Sequence, residues 1–184
     1  MPQRRGQFLI ASSQLLDPNF VKTVVLVVNQ DDSGVVGLVL NRPLEVTVAD
    51  SCGPEVPAAA GVTQVLRRGG PCAGPLMVLH RRQDVLEGDP GQEIVAGVQF
   101  TTDRESIESL MRHGAESAML FAGYAGWSVE QLENEIDEGA WIVSPGNCEE
   151  VFAADEQLWQ KLTTRLILGK WISPERIPQN PSLN

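Results

Sequence analysis

Cysteine is scarce in this chain of 184 residues: Cys52, Cys72 and Cys148, with no C-x-x-C among them. That spacing excludes a zinc knuckle and a thioredoxin-type pair. A sparse, odd set fits a reducing cytoplasm better than a disulfide scaffold. Histidine is scarcer still, with only His80 and His113, so a histidine-based triad has few members to draw on. No apolar run approaches the ~18 residues of a membrane helix, and the stretch Val24 to Val28 suits a buried strand instead. The start, Met1-Pro2-Gln3-Arg4-Arg5-Gly6, is not followed by the long apolar segment of a secretion signal, so a cytoplasmic protein is expected. P-loop, G-x-G-x-x-G, H-E-x-x-H and G-x-S-x-G signatures are all missing. Positive charge is short as well: 14 Lys+Arg stand against 24 Asp+Glu, a net charge of −10, which disfavours wholesale coating of nucleic acid.

The negative charge is not spread evenly. Residues 103–156 hold 13 acids and only Arg104 and Arg112, giving −11; the remaining 11 acids and 12 bases sum to +1. Acidity therefore belongs to one stretch, and a modest basic patch can exist elsewhere.

Hydrophobic patterning places strands early. Residues 7–11 read as a first strand, Asp17-Pro18-Asn19 as a turn with Phe20 an apolar anchor behind it, and 23–29 as a buried strand. Asp31 to Gly34 turns the chain into 35–40, a β-hairpin that Asn41-Arg42-Pro43 should terminate. Glycines and prolines between 46 and 62 allow at most a short helix. Residues 65–68 and 76–80 read as a hairpin around the Gly69-to-Pro75 connection; 84–92 is polar loop and 93–101 one more strand.

Helices come late. Thr102 to Glu105 is a capping box opening a helix with Ile107, Leu110 and Met111 on one face, ending near Gly114. After a strand at 117–122, Ser128 to Gln131 caps a second helix, with Leu132 and Ile136 inward and Gly139 at its C-terminal end. Residues 141–143 form a strand. Asp155 caps a helix with Leu158, Trp159, Leu162, Leu166 and Ile167 inward, stopped by Gly169. Strands in runs followed by helices predict an α+β fold with a largely antiparallel or mixed sheet. One domain over 1–172 and a loose tail over 173–184 are expected.

Few residues carry chemistry on their own. Cys72, in the turn Gly69-Gly70-Pro71-Cys72, and His80 could form a dyad if folding joined them; otherwise each is structural. The segment Gly123-Tyr124-Ala125-Gly126-Trp127-Ser128 leads into a capped helix, so its amides could form an anion nest. Against that, the helix carries Glu130, Glu133, Glu135, Asp137 and Glu138 with no lysine, and a tight turn with packed aromatics explains the same residues. Glu133 and Asp137, one turn apart, offer too few oxygens for a divalent ion, so no metal is expected. Arg67-Arg68 and Arg81-Arg82 could contribute one arginine each to a positive patch, since alternation sends neighbours to opposite faces.

Taken in order, the motifs Gly6-Gln-Phe-Leu-Ile-Ala, Leu16-Asp17-Pro18-Asn-Phe20-x-Lys22-Thr23-Val24, Gly37-Leu38-Val39-Leu40-Asn41-Arg42-Pro43, Gly69-Gly70-Pro71, Val78-Leu79-His80, Gly123-Tyr124-Ala125-Gly126-Trp127, Gln131-Leu132-Glu133-x-Glu135 and Ala140-Trp141 resemble the AlgH/YqgE family over roughly residues 6–169. The resemblance implies an α+β fold with a bent, partly barrel-like sheet flanked by helices. It also implies a bacterial, cytoplasmic protein of a group often labelled transcriptional regulators, with no catalytic residues or cofactor attached to the name. Three departures stand out. Ser12-Ser13 replaces a proline-containing segment, the Cys72–Leu76 connection is short, and Val129-Glu130 replaces a glycine before Gln131, which weakens the nest.

The expected function is a non-enzymatic regulatory or interaction protein working through protein or small-anion contacts, without a cofactor. Asn41, Arg42, Pro43, Gly69, Gly70, His80, Tyr124, Gly126 and Trp127 are the candidates for one groove. The acidic 130–138 helix is the expected dock for a basic protein partner. The alternatives are an enzyme using Cys72 and His80, and direct DNA binding, for which no basic helix-turn-helix is present. No membrane contact is expected.

Overall fold

The structure, a computed structural model, describes residues 2–51, 62–84, 91–113 and 117–171. Cys52, most of the 46–62 and 84–92 segments, the Gly114 helix end and the 173–184 tail lie outside them.

Eleven described strands form two sheets. The first has the order β10-β3-β2-β1-β11, with β1 at Gln7–Ala11, β2 at Val24–Asp31, β3 at Gly34–Val39, β10 at Ala125–Trp127 and β11 at Trp141–Pro145. The second has the order β4-β5-β9-β6-β8-β7, with β4 at Pro43–Thr47, β5 at Val65–Arg68, β6 at Met77–His80, β7 at Gln92–Val95, β8 at Val98–Thr101 and β9 at Met119–Ala122. Every pairing is antiparallel except β5 with β9. Neither sheet closes into a barrel; the bend expected of one sheet is met by dividing it in two.

Both faces of β2 are buried, which is why Val24 to Val28 is uninterruptedly apolar. Alternation sends Val24, Leu26 and Val28 into a central core with Phe8, Ile10, Leu79 and Phe121 from both sheets. Val25 and Val27 point the other way, under α3 (Val129–Asp137), where they meet Leu132, Trp127 and Trp141. A third cluster lies outside the second sheet, where Val78, Leu66 and Leu120 pack against Ile107, Leu110 and Met111 of α2 (Arg104–His113). Each such buried side chain contributes about 1.5–3 kcal/mol. Short α1 (Val48–Ser51) adds Val48 to that third cluster, and α4 (Cys148–Phe152) and α5 (Leu158–Trp171) close the central core with Val151, Leu158 and Leu162.

Several expectations need correction. Strands β5 and β6 are not a hairpin, because β9 inserts between them. The 93–101 strand is a hairpin, β7 and β8, turning at Ala96-Gly97, where Gly97 has φ of +83°. Strand β3 ends at Val39 and Pro43 begins β4, so Asn41-Arg42 lies in the crossover from one sheet to the other. Asp103, not Thr102, caps α2: its carboxylate accepts the Ser106 amide at 2.9 Å. Ile167 is 58% exposed, and α5 runs past Gly169. Helix α4 carried no periodic signal in its five residues.

Candidate functional site

Asn41 and Arg42, at the crossover, both hold the preceding turn. The buried Asn41 side chain accepts the Val24 amide at 2.9 Å and donates to the Lys22 carbonyl at 2.9 Å, standing in for a missing strand neighbour. The Arg42 guanidinium donates to the carbonyls of Val21 (3.0 Å) and Pro18 (3.4 Å). Between these clamps Lys22 has φ of +56°, a left-handed conformation that costs about 1–3 kcal/mol outside glycine. The turn so held lays Phe20 on Trp127 and Trp141, with ring centroids 5.6 and 5.4 Å away. Asn41, Arg42 and Trp127 thus belong to one connected structure. Pro43 sits opposite Arg67 in the β4–β5 ladder.

Gly69, Gly70 and Tyr124 also come together. A β-carbon on Gly69 would run into the Gly123 carbonyl, and one on Gly70 into the Tyr124 backbone. Cys72 exchanges amide and carbonyl bonds with Tyr124 at 2.9 and 3.0 Å. The Tyr124 ring covers Gly74 and Gly126. The amides that could have formed a nest are spent on these pairings, because Ala125 to Trp127 is strand β10, laddered to β3. Ser128 does cap α3, accepting the Gln131 amide at 3.0 Å, and Gly139 ends it with φ of +77°.

His80 stands apart from Cys72. Alternation puts it with Val78 on the α2 side of the second sheet, fully buried, with Nδ1 2.8 Å from the Arg81 carbonyl oxygen and Nε2 unpartnered. Cys72 instead borders Tyr124 and Gly126, on the first sheet's side. The structure therefore does not bring the His80 ring and the Cys72 thiol together.

The acidic helix is partly neutralised from within. Arg4 makes a two-pronged contact with Glu133, Nε to Oε1 at 2.9 Å and a terminal nitrogen to Oε2 at 2.6 Å. Hydrogen bonding from Arg4 holds the Glu133 carboxyl below its ordinary range. Glu135 accepts the indole N–H groups of Trp127 (3.0 Å) and Trp141 (2.7 Å) and the Gln131 amide nitrogen (2.8 Å). Glu130, Asp137 and Glu138 stay exposed. The roles of Arg4 and Glu135 were not visible in the sequence.

The arginine doublets separate as alternation requires. Arg67 turns inward and donates to the carbonyls of Leu40 (2.9 Å) and Ala154 (3.1 Å); burial lowers its pKa from the ordinary arginine value. Arg81 lies 4.6 Å over the Phe152 ring, 3.1 Å from Cys148 Sγ and 3.6 Å from Glu149. No shared patch forms between them. A separate cleft of about 310 Å³ lies between Leu76 and the Ile107–Met111 face of α2. Among the described residues, no group of three or more His, Cys, Asp or Glu side chains is placed to hold a metal ion. None of the described helices is long and apolar enough to cross a membrane.

The AlgH-like family model matches residues 8–169. The chain belongs to the AlgH-like family. A UPF0301 protein of Chlorobaculum tepidum is 34% identical over 184 residues, covering 97% of this chain and 95% of the relative. One from Streptomyces coelicolor is 35% identical over 186 residues, covering 97% and 94%. The solution structure of the AlgH protein from Pseudomonas aeruginosa superposes with a TM-score of 0.69 at 25% identity, covering both chains completely. A Corynebacterium diphtheriae protein shares the fold, with a TM-score of 0.70 at 24% identity over 90% of this chain and 88% of that one. The AlgH-like fold is thus the frame on which the crossover turn and the α3 face are built.

Proposed function

We propose that this AlgH-like protein is a non-enzymatic regulatory protein of the bacterial cytoplasm that docks a basic segment of a protein partner on α3. The observation that supports this reading is the division of the α3 carboxylates. Glu133 and Glu135 are committed to Arg4 and to two indoles, while Glu130, Asp137 and Glu138 are exposed and no ion pair within the described residues claims them. Residual negative charge on a rigid, capped helix steers and orients a cationic partner, and it acts more on association rate and specificity than on raw affinity. The polar atoms of Asn41 and Glu135 serve the chain's own turn and indoles, which supports a binding role over a catalytic one.

The test is fluorescence anisotropy with a labelled Lys/Arg-rich peptide. Binding should weaken steeply from 50 to 500 mM salt, and Glu130→Gln/Asp137→Asn/Glu138→Gln should abolish it with the thermal midpoint kept. Equal binding by the triple variant would sink the proposal. Tight, salt-dependent binding to a defined duplex DNA would favour direct transcriptional control instead.

A further inference from the structure

The crossover between the sheets puts two arginines beside each other. Arg68 donates its amide to the Arg42 carbonyl at 2.9 Å, and the register Pro43 to Arg67 makes Arg42 and Arg68 the next cross-strand neighbours. Alternation puts Arg68 on the side of Leu66, and from the same end of the ladder the Arg42 guanidinium turns to the 17–22 turn. Like charges facing each other across a ladder are destabilising. A chain with ten more acids than bases has ample means to relieve such a pair, yet no described carboxylate lies within ion-pair distance of either guanidinium. Asp17, the nearest acid in the clamped turn, accepts the Asn19 amide at 2.7 Å instead.

Lys22 adds a third cation beside the Val21 carbonyl that Arg42 grips, and no described carboxylate pairs with it either. Other exposed arginines also lack ion pairs among the described residues; these are distinguished by adjacency and by fixation. The Arg42 fork is immobilised by two carbonyls, and the Lys22 backbone is locked by Asn41, so little further ordering is needed to receive a ligand.

We propose that Lys22, Arg42 and Arg68 form a binding site for a compact oxyanion of two or more charges, a phosphoryl or carboxylate group. The Arg68 fork matches such oxygens two at a time, while Arg42, its terminal nitrogens held by carbonyls, and the Lys22 ammonium supply positive charge beside it. The site is separated from α3 by the Phe20–Trp127–Trp141 cluster, uses none of the α3 carboxylates, and does not depend on the docking reading.

Isothermal titration and thermal shift test it, with pyrophosphate and citrate at an ionic strength matched with sodium chloride. At least one should bind saturably and raise the midpoint, and which one binds identifies the phosphoryl or the carboxylate source. Arg68→Gln should weaken that binding about tenfold, which is 1.4 kcal/mol. Arg68→Lys, retaining charge without the fork, should fall between. The α3 triple variant should bind the anion unchanged, and Arg68→Gln should bind the basic peptide unchanged, so the two proposals fail separately. No saturable binding above the chloride control, or equal affinity of Arg68→Gln and wild type, would overturn the site.

Discussion

Around α3, carboxylates are consumed by partners: Glu133 by Arg4, 129 positions distant, and Glu135 by the indoles of Trp127 and Trp141, 8 and 6 positions away. At the β3–β4 crossover the opposite holds, for Arg42 adjoins Arg68 in the ladder and Lys22 in the turn, and no described carboxylate forms an ion pair with any of them. The first region uses charge to fold. The second holds charge in place by folding, through Asn41 and backbone carbonyls, and leaves it unneutralised. A formal charge therefore says little about where an ion is available; what matters is which polar atoms packing has already taken.

The largest effect expected from this contrast is at Glu135. Glu135→Ala leaves two buried indole N–H groups without an acceptor and should cost about 3 kcal/mol in denaturant unfolding. Glu135→Gln keeps an acceptor oxygen and should cost about 1 kcal/mol. Equal, small losses would show that the carboxylate is a surface charge like its neighbours.

Next comes Asn41. Asn41→Ala strips the Val24 amide and the Lys22 carbonyl of their partner and should cost about 2 kcal/mol. If the crossover turn is what presents the cations, this variant should also weaken pyrophosphate or citrate binding, although Asn41 need not touch the anion. Stability lost with binding intact would separate the turn from the site.

How much of this the sequence disclosed depended on range. Local devices were legible: strand 7–11, the Ser128 cap, the Gly139 stop and the inward Leu132 all follow from nearest-neighbour chemistry. The β5–β9 parallel pairing was not, since nothing in Val65 to Arg68 says that a strand fifty residues later will separate it from β6. Glycines disguised β10 as a loop, although Gly37 and Gly126 sit in a ladder that their small size permits. In the candidate site, Asn41 and Arg42 were named for a groove, and the bonds their side chains make are to the 17–22 turn and the start of β2. His80 looked reactive, and strand parity buries it. Arg68 was read only as half of a doublet, because its cross-strand neighbour is fixed by register and not by spacing.

A pH titration sharpens the α3 side. Hydrogen bonding from Arg4 depresses the folded-state pKa of Glu133. Its stabilisation is therefore complete above the unfolded value of about 4.3 and is lost as pH falls through the depressed folded value. Glu133→Gln should cost below about 1 kcal/mol at pH 7, and the difference from wild type should close in acid. A gap that persists at the lowest accessible pH would assign the loss to packing rather than to the ion pair.

The smallest expected effect discriminates best because its sign differs between the regions. Arg4→Gln removes an attraction, so its destabilisation should shrink as salt rises from about 10 mM, where the Debye length is ~30 Å, to about 1 M, where it is ~3 Å. Arg68→Gln removes a cross-strand repulsion with Arg42, so without ligand it should stabilise by about 0.3 kcal/mol at low salt, and that gain should vanish at high salt. Both variants lose one positive charge from the same acidic protein, so a net-charge effect alone would move them in the same direction. Opposite slopes of stability against salt would mean that local partners decide the outcome. Parallel slopes would mean that Arg68 is already balanced in the free protein, and the case for an anion at the crossover would lose its physical basis.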